Sequence, residues 1–133
     1  MRASCKLALA AAIVGATLGF GSLADAHHSF AMFDQKKSVV LKGAIRDFIW
    51  ANPHVFIQLL ASDAKGKQQE WSIEMTSPEH LARSGWKHGT LKPGDMVTVV
   101  IHPTRDGAKG GQYLAGAGAK GLLPGSPALP AAS

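Results

Sequence analysis

From Val39 onward the apolar residues of this chain come in short β-branched and aromatic runs, each stopped by Gly, Pro, Asn or Asp. No run there has the length and 3.6-residue period of a long helix, so the core has to be built from strands. The clearest is QQEWSIEM (68–75), which sets Gln69, Trp71, Ile73 and Met75 on one face and Gln68, Glu70, Ser72 and Glu74 on the other. That is the pattern of a half-buried antiparallel strand. VVLKGAIRDFIW (39–50) reads as a strand whose Gly43 marks a bulge or sharp bend. HVFIQLLAS (54–62) follows the turn Asn52-Pro53, MVTVVIHP (96–103) follows the turn LKPGD, and QYLAGAGA (112–119) is a glycine-weakened fifth strand.

The period changes once. In TSPEHLARSGW, Ser77 is placed to cap a helix, Pro78 to open it, Glu79 to complement its first turn and Gly85 to stop it. Three strands, a short helix and two strands is the order of the OB-fold, a five-stranded Greek-key barrel. The expected fold is therefore all-β with one short helix, a small OB-like barrel over 27–119, with an open sandwich as the competing arrangement. Residues 120–133 contain the Ala-, Pro- and Gly-rich GLLPGSPALPAAS, which has no periodicity and reads as a disordered tail.

Residues 1–26 have the layout of a secretion signal: basic Arg2 and Lys6, an apolar run from Leu7 to Phe20, and small residues before a cut. The run is 14 residues, short of the roughly 20 that a spanning helix needs. The expectation is a periplasmic or secreted protein with no permanent membrane anchor. Cys5 is the chain's one cysteine and lies within the signal, so the mature chain has neither disulfides nor thiolate ligands. Any metal must be held by nitrogen, oxygen or thioether sulfur.

Removing Arg2, Lys6 and Asp25 leaves 12 basic and 8 acidic side chains, with Lys36-Lys37 the only basic doublet. Nucleic-acid binding is not expected, because the basic stripe with interleaved aromatics that it uses is missing. Glu70 and Glu74 are four strand residues apart, roughly 13 Å, too far for the paired carboxylates of glycoside hydrolysis. There is no Gly-x-Ser-x-Gly and no phosphate-cradling glycine loop, and no catalytic constellation is visible.

The histidines carry the chemistry instead. Cleavage after Ala26 makes His27 the first residue, so its free amine and Nδ1 chelate from one residue and a further imidazole completes a T-shaped nitrogen set suited to copper. Cleavage after Ala24 puts His27 third, where amine, two amides and imidazole form a square plane. His28 follows directly, His54 opens the second strand on the barrel rim, and His102 ends the fourth, either converging on that rim or lying across the barrel. His80 and His88 read as surface residues, Met75 as core, and Met32 as the methionine positioned to add a soft ligand for Cu(I). Trp71 is expected in the core, with Trp50 and Trp86 covering barrel ends.

The series HHSF (27–30), FD (33–34), WANPH (50–54), EWSIE (70–74), SPEHLARSGW (77–86), LKPGDMVTV (91–99) and HPTRDG (102–107) resembles a family of small exported bacterial proteins classed as a domain of unknown function. The resemblance spans about His27 to Ala117. It implies an exported, periplasmic, single-domain β-protein and supplies no activity.

The expected function is that of a periplasmic copper carrier, buffer or delivery factor. His27 supplies amine and imidazole, His28 and His54 complete the site, and His102 stands in reserve. Its partners are the metal ion and another periplasmic protein. The alternative is an OB-type module binding a peptide, sugar or partner protein, with an exposed cluster of Trp50, Trp86 and Tyr113.

Overall fold

The computed structural model describes residues 30–130; the segment read as a secretion signal and the pair His27-His28 lie outside them. Its elements are β1 (Val39–Ile49), β2 (Phe56–Ser62), β3 (Gln68–Glu74), α1 (Pro78–Arg83), β4 (Met96–Pro103), β5 (Gly110–Gly118) and β6 (Gly121–Leu122).

β1 is long because it serves two neighbours. Val39 to Ala44 pair with Ile101 to Met96 of β4, and Gly43 to Ile49 pair with Ala61 to Phe56 of β2, both antiparallel. Gly43 belongs to both ladders, and a Cβ on it would lie 2.0 Å from the Leu60 carbonyl oxygen. The bulge expected at this glycine falls instead between Ile45 and Asp47; Gly43 is required by the close approach of the β2 backbone.

β2 pairs with β3 throughout, and β3 then pairs in parallel with β5 through Ser72–Gly110, Ile73–Gly111 and Glu74–Gln112. With β5 antiparallel to β4, the ring β1-β2-β3-β5-β4 closes on itself. This is the closed OB-like barrel, and the closure by β3 and β5 excludes the open sandwich. Alternation fills it: Ile45, Ile57, Leu59, Ile73, Val99 and Ile101 are fully buried, and Met75 lies inside as its period required. Each such side chain contributes about 1.5–3 kcal/mol by leaving water.

In α1 the Ser77 hydroxyl accepts the His80 N–H and Pro78 occupies the first turn. The helix stops at Gly85, whose φ of 93° takes the left-handed conformation. The Gly85 N–H reaches the Ala82 carbonyl and the Trp86 N–H reaches that of Leu81, both at 3.1 Å. This C-terminal lock aims Trp86 into the barrel end, where it is 2% exposed and packs against Phe48 and edge-on against Tyr113. Trp86 fills a barrel end, as expected, but fully buried within the core, while Trp71, expected in the core, is only partly buried against it, with the Lys109 ammonium 5.1 Å from its ring centre.

The expected disordered tail is also corrected. Gly121 and Leu122 form β6 against Gly118 and Ala117, and Leu123 is buried. Leu123-Pro124-Gly125-Ser126 then makes a β-turn, closed by the Ser126 N–H on the Leu123 carbonyl at 3.0 Å with Gly125 at φ 68°. Pro at the second position and a positive-φ Gly at the third define a type II turn.

Candidate functional site

The rim carrying the histidines is built by strand register. Phe56 opposes Glu74 in β2–β3, Glu74 opposes Gln112 in β3–β5, and Gln112 opposes His102 in β5–β4. Ile73 and Ile101 point inward, so Glu74 and His102 point out with Gln112 between them. His54 precedes Phe56 by two residues and shares its side of the strand. Its neighbour Val55 is held to β3's continuation by the Val55 N–H on Thr76 and the Met75 N–H on Val55, at 3.1 and 2.8 Å.

Both histidines are oriented by an oxygen at Nδ1. His54 Nδ1 contacts the Glu74 carboxylate, and His102 Nδ1 donates to the Lys37 carbonyl at 2.6 Å. Neither oxygen has a proton to give, so in the neutral rings Nδ1 carries the hydrogen and Nε2 keeps its lone pair. A carboxylate or backbone carbonyl behind a histidine is the usual support of a metal-ligating imidazole. The His54 side chain is 36% exposed and that of Glu74 is 16% exposed, so an ion from solvent can reach the imidazole while its support stays sheltered.

The segment after the histidine pair lies along the same rim. Phe33 is buried and bridges Thr104, and the Asp34 N–H donates to Pro103 at 2.8 Å. Arg105 donates its N–H to the Met32 carbonyl at 2.9 Å and its Nε–H to that of Phe33 at 3.2 Å. Gln35 Nε2 donates to Gln112 Oε1 at 2.9 Å. The Asp34 carboxyl is held below its ordinary value, first by the Lys36 N–H, against weak desolvation, then by the Lys37 ammonium. The same residue's carbonyl accepts the Lys37 N–H at 3.0 Å, shaping the turn that presents the Lys37 carbonyl to His102.

Of the residues singled out from sequence, His54 and His102 fall along one row of paired strand residues, His54 beside the end of β1 and His102 beside its start, and are not in contact. Glu74 and Gln112 stand between them, and His102 is two inter-strand spacings from Glu74, roughly 10 Å. His27 and His28 lie outside the described residues. Among the described residues no three His, Cys, Asp or Glu side chains converge into a metal-sized group. Met32 is half exposed, and His80 and His88 are exposed. Glu74, Gln112 and Gln35 had no local signal, since each meets its partner only through strand pairing.

The pattern of DUF6152, a family of unknown function, matches residues 16–113. The chain belongs to this family. The DUF6152 match includes His54, Glu74, His102 and Gln112 and stops within β5, ahead of the tail. No curated protein matches the chain. Among solved structures it is similar to Rim1, a mitochondrial single-stranded DNA-binding protein of S. cerevisiae, with 13% identity and a TM-score of 0.43 over 66% of this chain and 95% of that one.

Proposed function

We propose that the protein is an exported copper-binding protein, a carrier, buffer or delivery factor that takes the ion at the histidine rim of its barrel. His27 supplies the terminal amine and Nδ1, His28 a further imidazole and His54 its Nε2, with His102 in reserve. Imidazole and amine nitrogen suit copper, which heads the divalent affinity order. The observation that carries the reading is the shared orientation of His54 and His102, each with Nδ1 committed to a protein oxygen and Nε2 left as a ligand atom. The chain arriving from His28 reaches that rim within five residues, at Phe33. Binding weakens on acidification, because a protonated imidazole has no lone pair to give.

Copper titration of the mature protein, beside a version with one alanine added before His27, tests the terminal amine. The extension is expected to lower affinity at least tenfold; equal affinity in the two chains removes the amine chelate. Intact mass of the exported protein, with and without chelator, fixes the cleavage point and any bound ion together.

A second reading, an OB-type module for a peptide, sugar or protein partner, expects Trp50, Trp86 and Tyr113 exposed together; instead Trp86 is 2% exposed and the three belong to a packed aromatic chain. Trp50 packs on Phe48, Phe48 on Trp86 and Trp86 on Tyr113, with ring centres 5.6–5.9 Å apart. It predicts stability indifferent to metal.

A further inference from the structure

The cluster of Trp86 and Tyr113 is not open to solvent, because the chain's own C-terminal turn sits on it. The Trp86 indole N–H donates to the Pro124 carbonyl at 2.9 Å. The Ser126 hydroxyl oxygen accepts the Gly116 N–H at 3.0 Å and meets the Tyr113 hydroxyl at 2.9 Å. Leu123 lies against Gly116, where a Cβ would come within 2.8 Å of its Cδ1. Pro124 and Gly125 pass over Gly85 and Ser84 at the end of α1.

These contacts have the layout of a peptide in a recognition groove. A type II turn leaves the carbonyl of its proline free of the turn's own hydrogen bond, and an indole N–H takes it. The residue before the proline fills an apolar notch over a glycine, and the residue closing the turn is read by a hydroxyl and a backbone N–H. Proline lowers the cost of ordering such a segment, as in other proline-containing peptide ligands, and glycine takes the positive φ of the third turn position without strain. Outside Leu123, which joins the barrel core, the segment is held by few elements: β6 is two residues long, and Gly125, Pro127, Ala128 and Pro130 are exposed. The family match ends at residue 113, before all of it.

We infer that the surface formed by Trp86, Tyr113 and Gly116 is a peptide-recognition site for a Leu-Pro-Gly-Ser type II turn, and that residues 123–126 are its tethered occupant. The partner it fits is an exposed Leu-Pro-Gly-Ser turn on another polypeptide. The inference is independent of the copper reading, since none of these residues is a proposed ligand or one of the oxygens behind it.

The test uses the chain with its C-terminus intact and follows the Trp86 indole N–H by NMR. Ser126→Ala removes one anchor from the tail while leaving the groove unchanged; Leu123→Ser with Ser126→Ala loosens it further. The indole resonance is expected to move toward the position of an unbonded indole in each variant. Added peptide GLLPGSPALP should return it saturably, and a peptide with alanine in place of Pro124 and Ser126 should bind at least tenfold more weakly. In the unaltered chain the same peptide competes poorly, because a short tether gives the tail an effective concentration on the order of millimolar. Two results overturn the proposal: an indole resonance that stays put in the Ser126→Ala chain, or one that moves and is not restored by the peptide. If the double variant does not fold, the single variant decides between the same outcomes.

Discussion

Two neighbouring regions of this barrel are finished in opposite ways. Along the row from His54 to His102 the strands carry polar side chains, each histidine backed by an oxygen and partly open to water. Beside that row, where Phe48 opposes Ile57 and Tyr113 follows Gln112, the strands carry aromatic rings that a turn from the C-terminus covers. Ligand atoms that exchange an ion must stay wet, whereas a cluster that holds a fold together is sealed. The proposed copper chemistry belongs to the first region and stability to the second.

The sharpest way to break that division is Trp86→Ala. Trp86 touches Phe48 and Tyr113 and carries the hydrogen bond to Pro124, and removing a buried tryptophan costs about 3–5 kcal/mol. Urea unfolding should show that loss, while copper affinity of the folded fraction stays within twofold. A comparable loss of copper affinity in folded protein would mean the two regions are coupled.

Alkaline pH probes the sealed cluster next. Burial pushes the Tyr113 hydroxyl up to about 12 from 10.0, the Ser126 contact opposing it. Between those values the unfolded chain has released a proton that the folded chain still holds, so stability falls as pH rises from 10 toward 12. At about 1.4 kcal/mol per unit the full loss is on the order of 2–3 kcal/mol. Unfolding free energies measured across that interval should slope downward, and Tyr113→Phe should flatten the slope.

The same two regions differ in how far the sequence discloses them. The alternation of Gln68 to Met75 places Ile73 and Met75 inside, and the Ser77-Pro78 and Gly85 signals bound the helix, because both depend on neighbours a few residues away. His54 and His102 were legible as rim residues from their positions at strand ends. Their supports were not: Glu74 lies 20 residues from His54 and the Lys37 carbonyl 65 from His102, so only the pairing of strands brings them together. The tail was misjudged for a related reason. Its Pro-Gly turn signal is local, but the groove that orders it combines Trp86, Tyr113 and Gly116, and composition alone made Ala, Pro and Gly look structureless. Gly43 reads from sequence as a bulge or bend, but glycine is needed there because the Leu60 carbonyl comes close, and that depends on β2.

In the open region, Glu74→Ala should separate binding from stability. Losing the oxygen behind a ligating histidine commonly costs 10–100-fold in metal affinity. Loss of the pair should cost the fold on the order of 1 kcal/mol. Isothermal titration with copper and urea unfolding on the same preparation give both numbers. Unchanged affinity would take His54 out of the ligand set and leave the metal to the terminus and His102.

The smallest effect tests whether the strap from Asp34 to Lys37 belongs to the site or only passes it. The Asp34 carboxyl is held below its usual range by the Lys36 N–H and then by Lys37, so its contribution is present at neutral pH and lost as pH falls through that lowered value. Asp34→Asn keeps an oxygen for the Lys36 N–H and removes the charge, so it should make the acid side of the stability profile shallower and leave copper affinity near that of the unaltered chain. Asp34→Ala also loses the oxygen, loosening the turn that holds the Lys37 carbonyl against His102. Measurably weaker copper binding in the alanine variant, with the asparagine variant unaffected, makes the strap a positioning element of the open region. Equal binding in both would mean that His102 is held without it, and that the polar rim needs only the barrel's own strands.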